Sequence, residues 1–249
     1  MERDGIWTES FCLHAYMVDK NREATLPTLL NFFQEVANGH AFNRQYDFFS
    51  MQERGLIWVL NRLNINVLRY PQWQETLHVS TWVSQFAAFP HRHLEIVDNE
   101  GKVVCCAYSI WLSLDAETHR PRRILDFDSP LSEKKTTCNL PQKLQNTVDA
   151  GNPANGGKGV LTSERKVVYS DLDMLGHVNN VKYVEWMLDA LHAIEPNVKP
   201  KNMEINYINE AFLNEDVLFY SKKEDAKTYI TLKRKSDETD ICRASFDIS

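Results

Sequence analysis

The chain has 249 residues, of which 43% are hydrophobic and 25% charged, and its formal net charge is −6 at pH 7. This length permits one large domain or two smaller ones. The acidic balance gives no electrostatic basis for nucleic-acid binding, and no apolar run approaches the roughly 20 residues of a membrane span. The opening MERDGIWTES has neither region of a signal peptide, so a cytoplasmic location is predicted.

The five cysteines, at positions 12, 105, 106, 138 and 242, show no CxxC or other metal-like spacing. An odd number of cysteines in a chain without a secretion signal predicts reduced thiols. The sequence also contains no phosphate loop, dinucleotide fingerprint or zinc spacing. It therefore predicts neither a metal nor a cofactor.

The first part of the chain is typical of a strand, a long helix and then a series of strands. The strand-like run FCLHAYMV comes first, and residues 25–43 follow with apolar residues at helical spacing. Pro27 falls in the first turn of this helix, where its missing N–H costs little. The predicted apolar face consists of Leu26, Leu29, Leu30, Phe33, Val36 and Ala37. The strands that follow are predicted at LIWVLNRLNINVLRY, TLHVSTWVSQF, HRHLEIVDN and VVCCAYSIWLSLD.

The composition changes between Ser129 and Lys158, where Pro, Asn, Gly and Lys are frequent and periodic apolar residues are few. Such a composition is typical of a linker. We therefore predict a first domain at 1–128, a linker at 129–158 and a second domain at 159–249.

The second part of the chain repeats the order of the first. A strand is predicted at ERKVVYSD and a helix at NNVKYVEWMLDALHAI, and short strands follow at MEINYINE, DVLFYSKKE, KTYITLKRK and ICRASFDIS. The predicted apolar face of this helix consists of Val184, Met187, Leu188, Leu191 and Ile194. Two copies of one pattern indicate a tandem duplication. A long helix that buries a wide face against an antiparallel sheet predicts an α+β fold in which each sheet wraps around a helix.

The string SDLDMLGHVNNVKYVEW concentrates polar residues ahead of the second helix. Asp173 follows a strand, and Gly176 and His177 occupy the turn into the helix. Unpaired N–H groups and partial positive charge at a helix N-terminus suit a developing oxyanion, and a nearby carboxylate can activate water or attack a carbonyl. Caps and turns favour the same residue types, and Asn179 or Asn180 fits an N-cap.

The string DLDMLGHVNNVKYVEW resembles the Asp-x-Asp-x-x-Gly-His-Val-Asn-Asn signature of hotdog-fold thioesterases. LIWVLNRLNINVLRYPQWQETLHVSTWVS is similar to the first hotdog unit of the acyl-acyl-carrier-protein thioesterase family, which includes the plant chain-terminating enzymes. EINYINE, residues 204–210, resembles the Tyr-x-x-Glu segment of that family. The resemblance covers most of residues 8–220. It implies tandem hotdog domains that hydrolyse fatty acyl thioesters of acyl carrier protein, release the free fatty acid and end chain elongation.

The resemblance implies catalytic roles for Asp173, His177 and Glu210. Asp173 would position or activate the attack, His177 would belong to the polar network, and Glu210 would activate water. The division of work between the two carboxylates stays open at this point. The candidate substrate-binding or oxyanion residues, from their place at the turn and at the start of the helix, are Gly176, Asn179 and Asn180.

This chain departs from the family at two positions. Leu175 stands where many plant members have Asn two residues before the histidine, so an amide contact is lost or is supplied by Asn179 or Asn180. Ala211 stands where some plant members have Cys after the glutamate, and Cys242 is the only cysteine after the predicted linker. A thiolate nucleophile is therefore not expected, and attack by water is favoured.

The first half has no equivalent of this string, because MVDKNREATLP contains Asp19 alone. The resemblance assigns to this half the task of holding the acyl chain. Candidates for the lining, each of which also fits plain core packing, are Leu29, Phe32, Phe33, Val36 and the strand 56–68.

Acyl carrier protein is strongly acidic, so a partner of net charge −6 needs a local basic patch to dock it. The candidates, which also fit solvated loop charge, are HRPRR at 119–123, Lys134, Lys135, Lys158, Arg165 and Lys166.

Several functions stay open from the sequence. An acyl-coenzyme A thioesterase of the same fold is the nearest rival, although such enzymes are commonly single-hotdog chains. A hotdog dehydratase would need a second His/Asp pair, and none has a convincing spacing. A non-catalytic acyl-binding module is the rival from another class, and it would gain if Asp173 and Glu210 were remote in space. The oligomeric state also stays open, because two hotdog units in one chain can pair with each other as a pseudo-dimer, and two such chains can pair further as a homodimer.

Overall fold

A computed structural model describes residues 2–86, 89–124, 131–132, 134, 136, 138, 147–151 and 159–248. The chain divides into two compact units, Met1–Gln142 and Lys143–Ser249. Each unit contains an antiparallel sheet and one long helix, so the predicted α+β class is confirmed. Within the described residues, no helix is long and apolar enough to cross a membrane.

The sheet of the first unit has its strands in the order β1-β2-β4-β5-β6-β3, and neighbouring strands are antiparallel. The strands are β1 (Glu2–Arg3), β2 (Ile6–Cys12), β3 (Leu56–Val67), β4 (Thr76–Gln85), β5 (His91–Asp98) and β6 (Val103–Asp115). The helices are α1 (Leu26–Asn43) and α2 (Phe48–Glu53).

The sheet of the second unit has the order β7-β9-β10-β11-β8, which matches the order β2-β4-β5-β6-β3 of the first unit. The strands are β7 (Val160–Lys166), β8 (Asn202–Tyr207), β9 (Asp216–Glu224), β10 (Lys227–Arg234) and β11 (Asp240–Asp247), and the helix is α3 (Asn180–Ile194). The common order is what a tandem duplication requires.

Helix α1 begins within one residue of its predicted start. Thr25 is the N-cap, its hydroxyl accepts the N–H of Thr28 at 3.2 Å, and Pro27 lies in the first turn. Leu26, Leu29, Leu30, Phe33 and Val36 are buried as predicted, together with Phe32, whereas Ala37 is half-buried. The helix packs on β2, where Phe32 stacks on Phe11 with 4.6 Å between the ring centroids.

Helix α3 buries a wider face than predicted. Val184, Met187 and Leu191 are buried, but Leu188 is half-buried, and Ile194, the last residue of the helix, is 40% exposed. The buried face consists of Val181, Tyr183, Val184, Trp186, Met187, Ala190 and Leu191.

The strands before the two long helices begin earlier in the chain than predicted. FCLHAYMV contributes only its first residues to β2, and residues 15–17 form a short 3-10 turn. ERKVVYSD contributes only as far as Lys166 to β7, and residues 169–171 form the equivalent 3-10 turn. Helix α2 was not predicted from the sequence; it is short, and the carboxylate of Asp47 caps it by accepting the Phe49 N–H at 3.0 Å.

The prediction of reduced thiols is wrong for Cys106 and Cys138, which form a disulfide. Cys138 belongs to the predicted linker, and Cys106 belongs to β6. Lys134, also in the predicted linker, places its ammonium 2.5 Å from the Glu95 carboxylate. The two cysteines meet only through the tertiary fold, so no local spacing could reveal the bond.

Other described residues of the predicted linker are also anchored. The Thr147 N–H donates to the Asn206 side chain at 2.6 Å, and the carboxylate of Asp149 lies 3.4 Å from the Lys233 ammonium. Thr147 and Asp149 are both buried. Thr147 and Asp149 are therefore fixed to the sheet of the second unit, although the predicted linker to which they belong has the composition of a free segment.

A buried polar network joins α1 to the sheet of the first unit. The Arg92 guanidinium donates to His40 Nδ1 and to the Thr81 hydroxyl, both at 3.1 Å. His40 Nε2 lies 3.8 Å from the Glu2 carboxylate, which also pairs with Arg44. Burial, reinforced by the charge of Arg92, lowers the pKa of His40 to about 4. His40 is therefore neutral in the folded chain at neutral pH.

This pKa predicts a loss of stability in mild acid. The unfolded chain takes up a proton on His40 near its usual pKa of about 6.5, whereas the folded chain resists until about pH 4. The free energy of unfolding should therefore fall as pH falls through this window and level off below it. His40→Asn keeps an acceptor for Arg92 but does not titrate. The loss of unfolding free energy across this pH window should therefore be smaller in the variant than in the wild type by roughly 1–3 kcal/mol.

Urea unfolding followed by circular dichroism between about pH 7 and about pH 4.5 measures this slope. His119→Asn is the control, because His119 is exposed and its replacement should leave the slope as in the wild type. A His40→Asn slope equal to the wild-type slope would contradict the prediction.

Candidate active site

The first aspartate of the Asp-Leu-Asp string is a structural residue. Asp171 is 2% exposed, and its carboxylate accepts the Val168 N–H at 2.9 Å. The Arg165 guanidinium lies 3.4 Å from the same carboxylate. Asp171 therefore holds the 3-10 turn ahead of the site and is not available to a substrate.

Asp173 closes the turn that carries the histidine. Its N–H donates to the His177 carbonyl at 2.8 Å, and its Oδ1 accepts the N–H groups of Leu175 at 2.8 Å and of His177 at 3.4 Å. Gly176 has φ +81°, in the left-handed region that side chains disfavour. Asp173 Oδ2 has no hydrogen-bond partner among the residues that the structure describes, so one carboxylate oxygen is left for chemistry.

The first unit contains the same turn without the histidine. The Asp19 N–H donates to the Glu23 carbonyl at 2.8 Å, and Asp19 Oδ1 accepts the N–H groups of Asn21 at 2.8 Å and of Glu23 at 3.1 Å. Arg22 has φ +62°, like Gly176 in the second unit. Asp19 thus occupies the place of Asp173, and Glu23 the place of His177.

His177 and Glu210 form the centre of the site. His177 Nδ1 lies 3.2 Å from Glu210 Oε1, and the two side chains are 35% and 47% exposed. The ring of Phe212 packs edge-on against the imidazole with 5.2 Å between centroids. His177 Nε2 faces no hydrogen-bond partner in the described part of the chain. The contact with Glu210 orients the ring and leaves Nε2 available.

Ala211 positions Glu210. Ala211 is fully buried, its carbonyl accepts the Val178 N–H at 3.1 Å, and its N–H donates to the Tyr183 hydroxyl at 3.0 Å. Burial raises the pKa of Tyr183, so the phenol keeps its proton. The Arg234 guanidinium donates to the Glu210 carbonyl at 2.9 Å. Sequence reasoning missed the roles of Tyr183 and Arg234, because their contacts with Ala211 and Glu210 are tertiary and no local pattern reveals them.

The two asparagines at the start of α3 have different roles. Asn179 is the N-cap, because its side-chain oxygen accepts the Val181 N–H at 2.9 Å and its own N–H donates to the Asp171 carbonyl at 3.0 Å. Asn180 is the first helical residue, and its carbonyl accepts the Tyr207 hydroxyl at 3.2 Å. Its N–H and its carboxamide have no partner among the described residues.

Fewer backbone N–H groups than predicted are therefore left to bind an oxyanion. The Gly176 N–H is engaged with the Asp173 carbonyl at 3.1 Å, and the N–H of Asn179 is engaged as described above. Of the three predicted residues, only Asn180 has a backbone N–H without a partner among the described residues, because those of Gly176 and Asn179 are engaged.

The remaining cysteine of the second unit does not suit nucleophilic chemistry. Cys242 is fully buried, and this burial raises the pKa of its thiol. The described residues also contain no group of three or more His, Cys, Asp or Glu side chains that could hold a metal ion.

Four of the six described Lys and Arg residues of the predicted basic patch form local ion pairs. The ion pairs are Arg122–Asp115 at 3.1 Å, Lys134–Glu95 at 2.5 Å, Arg165–Asp171 at 3.4 Å and Lys166–Asp216 at 2.8 Å. Lys135 and Lys158 lie outside the described residues. Arg120 and Arg123 are exposed and form no ion pair with the described residues.

The helical residues predicted to line an acyl tunnel are part of the first unit's core, whereas the strand 56–68 is only partly buried and its Leu68 is 56% exposed. Leu29, Phe32, Phe33 and Val36 are buried on α1. Their role in holding an acyl chain stays a prediction.

Family models match both units. The acyl-ACP thioesterase N-terminal domain, in which ACP is acyl carrier protein, matches residues 5–127, and the acyl-ACP thioesterase C-terminal domain matches residues 158–247.

Two similar curated relatives come from plants. A palmitoyl-acyl carrier protein thioesterase of Cuphea hookeriana is 29% identical over 210 residues, which is 76% of this chain and 48% of the relative. Oleoyl-acyl carrier protein thioesterase 2 of Arabidopsis thaliana is 30% identical over 207 residues, which is 77% of this chain and 55% of the relative. The chain thus spans about half the length of the curated relatives it matches.

Solved structures share the fold over nearly the whole chain. An acyl-ACP thioesterase of Bacteroides thetaiotaomicron is 24% identical with a TM-score of 0.86, and the match covers 98% of each chain. A 12:0-ACP thioesterase of Umbellularia californica is 19% identical with a TM-score of 0.80, over 99% of this chain and 98% of that one. These likenesses confirm the predicted tandem hotdog fold.

The capping role of Asn179 predicts a stability effect separate from catalysis. Asn179→Ala removes the acceptor of the Val181 N–H and should lower the free energy of unfolding by about 1 kcal/mol. Asn179→Ser keeps a capping oxygen and should lose much less. Denaturant titration of the two variants measures the difference, and equal losses would refute the capping role.

Proposed function

Because the chain belongs to the acyl-ACP thioesterase family, we propose that it hydrolyses the thioester between a fatty acyl chain and acyl carrier protein. The products are a free fatty acid and the carrier thiol. The observation that carries the proposal is the contact of His177 with Glu210, made next to the turn closed by Asp173.

His177 is the general base of the proposed reaction. Glu210 lies against Nδ1 and favours the tautomer with a proton there, which leaves Nε2 to accept a proton from water. The resulting hydroxide attacks the carbonyl carbon, and collapse of the tetrahedral intermediate breaks the carbon–sulfur bond. The imidazolium then returns its proton to the departing thiolate. Glu210 thus acts through His177 rather than on the water itself.

Asn180 and Asp173 complete the arrangement. Asn180 offers its N–H and carboxamide at the N-terminus of α3, and a preorganised donor to an oxyanion is worth about 2.7–4 kcal/mol in other hydrolases. Asp173 holds the His177 N–H through Oδ1 and offers Oδ2 to the attacking water. Water rather than a thiolate is the nucleophile, because the thiol of Cys242 is buried and protonated.

The alternatives receive less support from this geometry. Two carboxylates contact one histidine here, because Asp173 accepts the backbone N–H of His177 and Glu210 lies against its imidazole. A non-catalytic acyl-binding module does not require this arrangement. An acyl-coenzyme A thioesterase would share the catalytic groups and differ in the carrier. The domain roles, the cytoplasmic location and the homodimer stay predictions, and the plant relatives are named as chloroplast proteins.

The proposed roles predict the kinetics of three substitutions. Asp173→Asn and Glu210→Gln keep an oxygen acceptor but remove the charge, and His177→Gln removes the base. Each should lower kcat for thiol release from acyl-ACP by about a hundredfold or more. Thiol release is followed with a chromogenic disulfide over a panel of chain lengths.

The matched control is Asp19→Asn, which makes the same change in the same turn of the first unit and should leave kcat as in the wild type. Folded variants of Asp173, His177 and Glu210 that retain wild-type kcat would contradict the mechanism. A wild-type protein that binds acyl-ACP but releases no thiol would contradict the proposed function.

Arg120 and Arg123 of the first unit form no ion pair with the described residues. We therefore predict that the acidic carrier docks against these two side chains. Arg120→Glu combined with Arg123→Glu places negative charge opposite the acidic carrier, so it should raise KM for acyl-ACP by about tenfold at low salt. KM for the matching acyl-coenzyme A should change little. Lys227→Glu, an exposed charge reversal in the second unit, is the control. An equal rise in KM for both substrates would show that this surface does not dock the carrier.

A further inference from the structure

The equivalence of the two Asp turns extends to the segments that pair with them. The Ala24 N–H donates to the Pro71 carbonyl at 2.8 Å in the first unit, as the Val178 N–H donates to the Ala211 carbonyl at 3.1 Å in the second. An isolated bridge follows in each unit, Glu23 to Gln72 and His177 to Phe212. Positions in the two units can therefore be matched residue by residue.

Matched positions carry different chemistry. Lys20, Asn21, Gln72 and Trp73 in the first unit correspond to Met174, Leu175, Phe212 and Leu213 in the second. The latter four residues, here called the apolar rim, are 74%, 39%, 42% and 44% exposed. Because the same backbone forms with mainly polar residues in the first unit, the fold does not require the rim to be apolar.

Two residues of the apolar rim contact the proposed catalytic groups, Leu175 through its backbone and Phe212 through its ring. The Leu175 N–H donates to Asp173 Oδ1 at 2.8 Å, and the Phe212 ring packs against the imidazole of His177. A thioester carbonyl that reaches these groups must place the atoms a few bonds away against the rim. The occupant of the rim is therefore the substrate itself, close to the bond that is cleaved.

One side of the thioester fits this surface better than the other. The sulfur leads into a prosthetic arm rich in amides, whose polar groups an apolar surface would leave without partners. The acyl side begins with methylene groups, which gain from burial against Met174 and Leu175. We infer that the apolar rim binds the first methylene groups of the acyl chain and selects against acyl groups that carry an oxygen at C3.

This inference rests on the proposed thioester hydrolysis and specifies the substrate class of that site. A hydroxyl at C3 loses its water on entering the rim and finds no polar side chain among Met174, Leu175 and Leu213. An apolar site discriminates by up to about a hundredfold against an added hydroxyl. The enzyme should therefore prefer fully reduced acyl thioesters to their 3-hydroxy counterparts.

The test compares kcat/KM for dodecanoyl-ACP and 3-hydroxydodecanoyl-ACP. Both probes carry the same carrier, so their ratio cancels carrier contacts and partial loss of active protein. The wild type should favour the dodecanoyl probe by about tenfold or more. Met174→Gln and Leu175→Asn should each lower this ratio several-fold, whereas Met174→Leu should keep it. Lys20→Gln, at the position in the first unit that matches Met174, should also keep it.

The outcomes separate the two proposals. Hydrolysis of both probes with a ratio that the Met174 and Leu175 variants leave unchanged overturns the inference and leaves thioester hydrolysis standing. Equal losses on both probes also overturn it, because they show a contact with the carrier rather than with the acyl chain. Absence of thiol release from either probe overturns the proposed function, and the inference falls with it.

Discussion

The hydrogen bonds of Ala211 hold together the two parts of the chain from which the site is built. Its carbonyl accepts the Val178 N–H and its N–H donates to the Tyr183 hydroxyl. The residues that precede Ala211 and Val178 are Glu210 and His177, so this pairing brings their side chains together. The attraction between two half-exposed side chains is weak. The contact of imidazole and carboxylate therefore depends on buried backbone pairing.

The two units separate the contribution of the fold from that of the chemistry. Asp19 and Asp173 accept the same pair of N–H groups, so a carboxylate in this turn is first of all a structural residue. An aspartate there is not by itself a sign of catalysis. What distinguishes the second unit is His177 in place of Glu23, together with Glu210 on the paired segment. The common backbone determines where a reactive pair can form, and two side chains decide whether it forms.

Local patterns predicted the parts of the structure that local physics determines. Helical periodicity located α1 and α3, because each buries one face against a sheet. The string around His177 located the turn, but the choice of Asn179 over Asn180 as the cap depends on a one-residue difference in backbone conformation. Glu210 entered through resemblance alone, since its contact with His177 is tertiary. The disulfide was wrongly predicted to be absent because tertiary contacts create it.

The partial exposure of the catalytic pair suits its proposed chemistry. In water, the high dielectric weakens the interaction of Glu210 with a charged His177. A bound acyl chain that covers the pair excludes water, so the same carboxylate stabilises the imidazolium more strongly during proton transfer. Phe212 supplies an apolar surface beside the imidazole of His177, which makes this exclusion more complete than a polar residue would. The apolar contact that selects the substrate and the electrostatics that drive its hydrolysis then arise from one binding event.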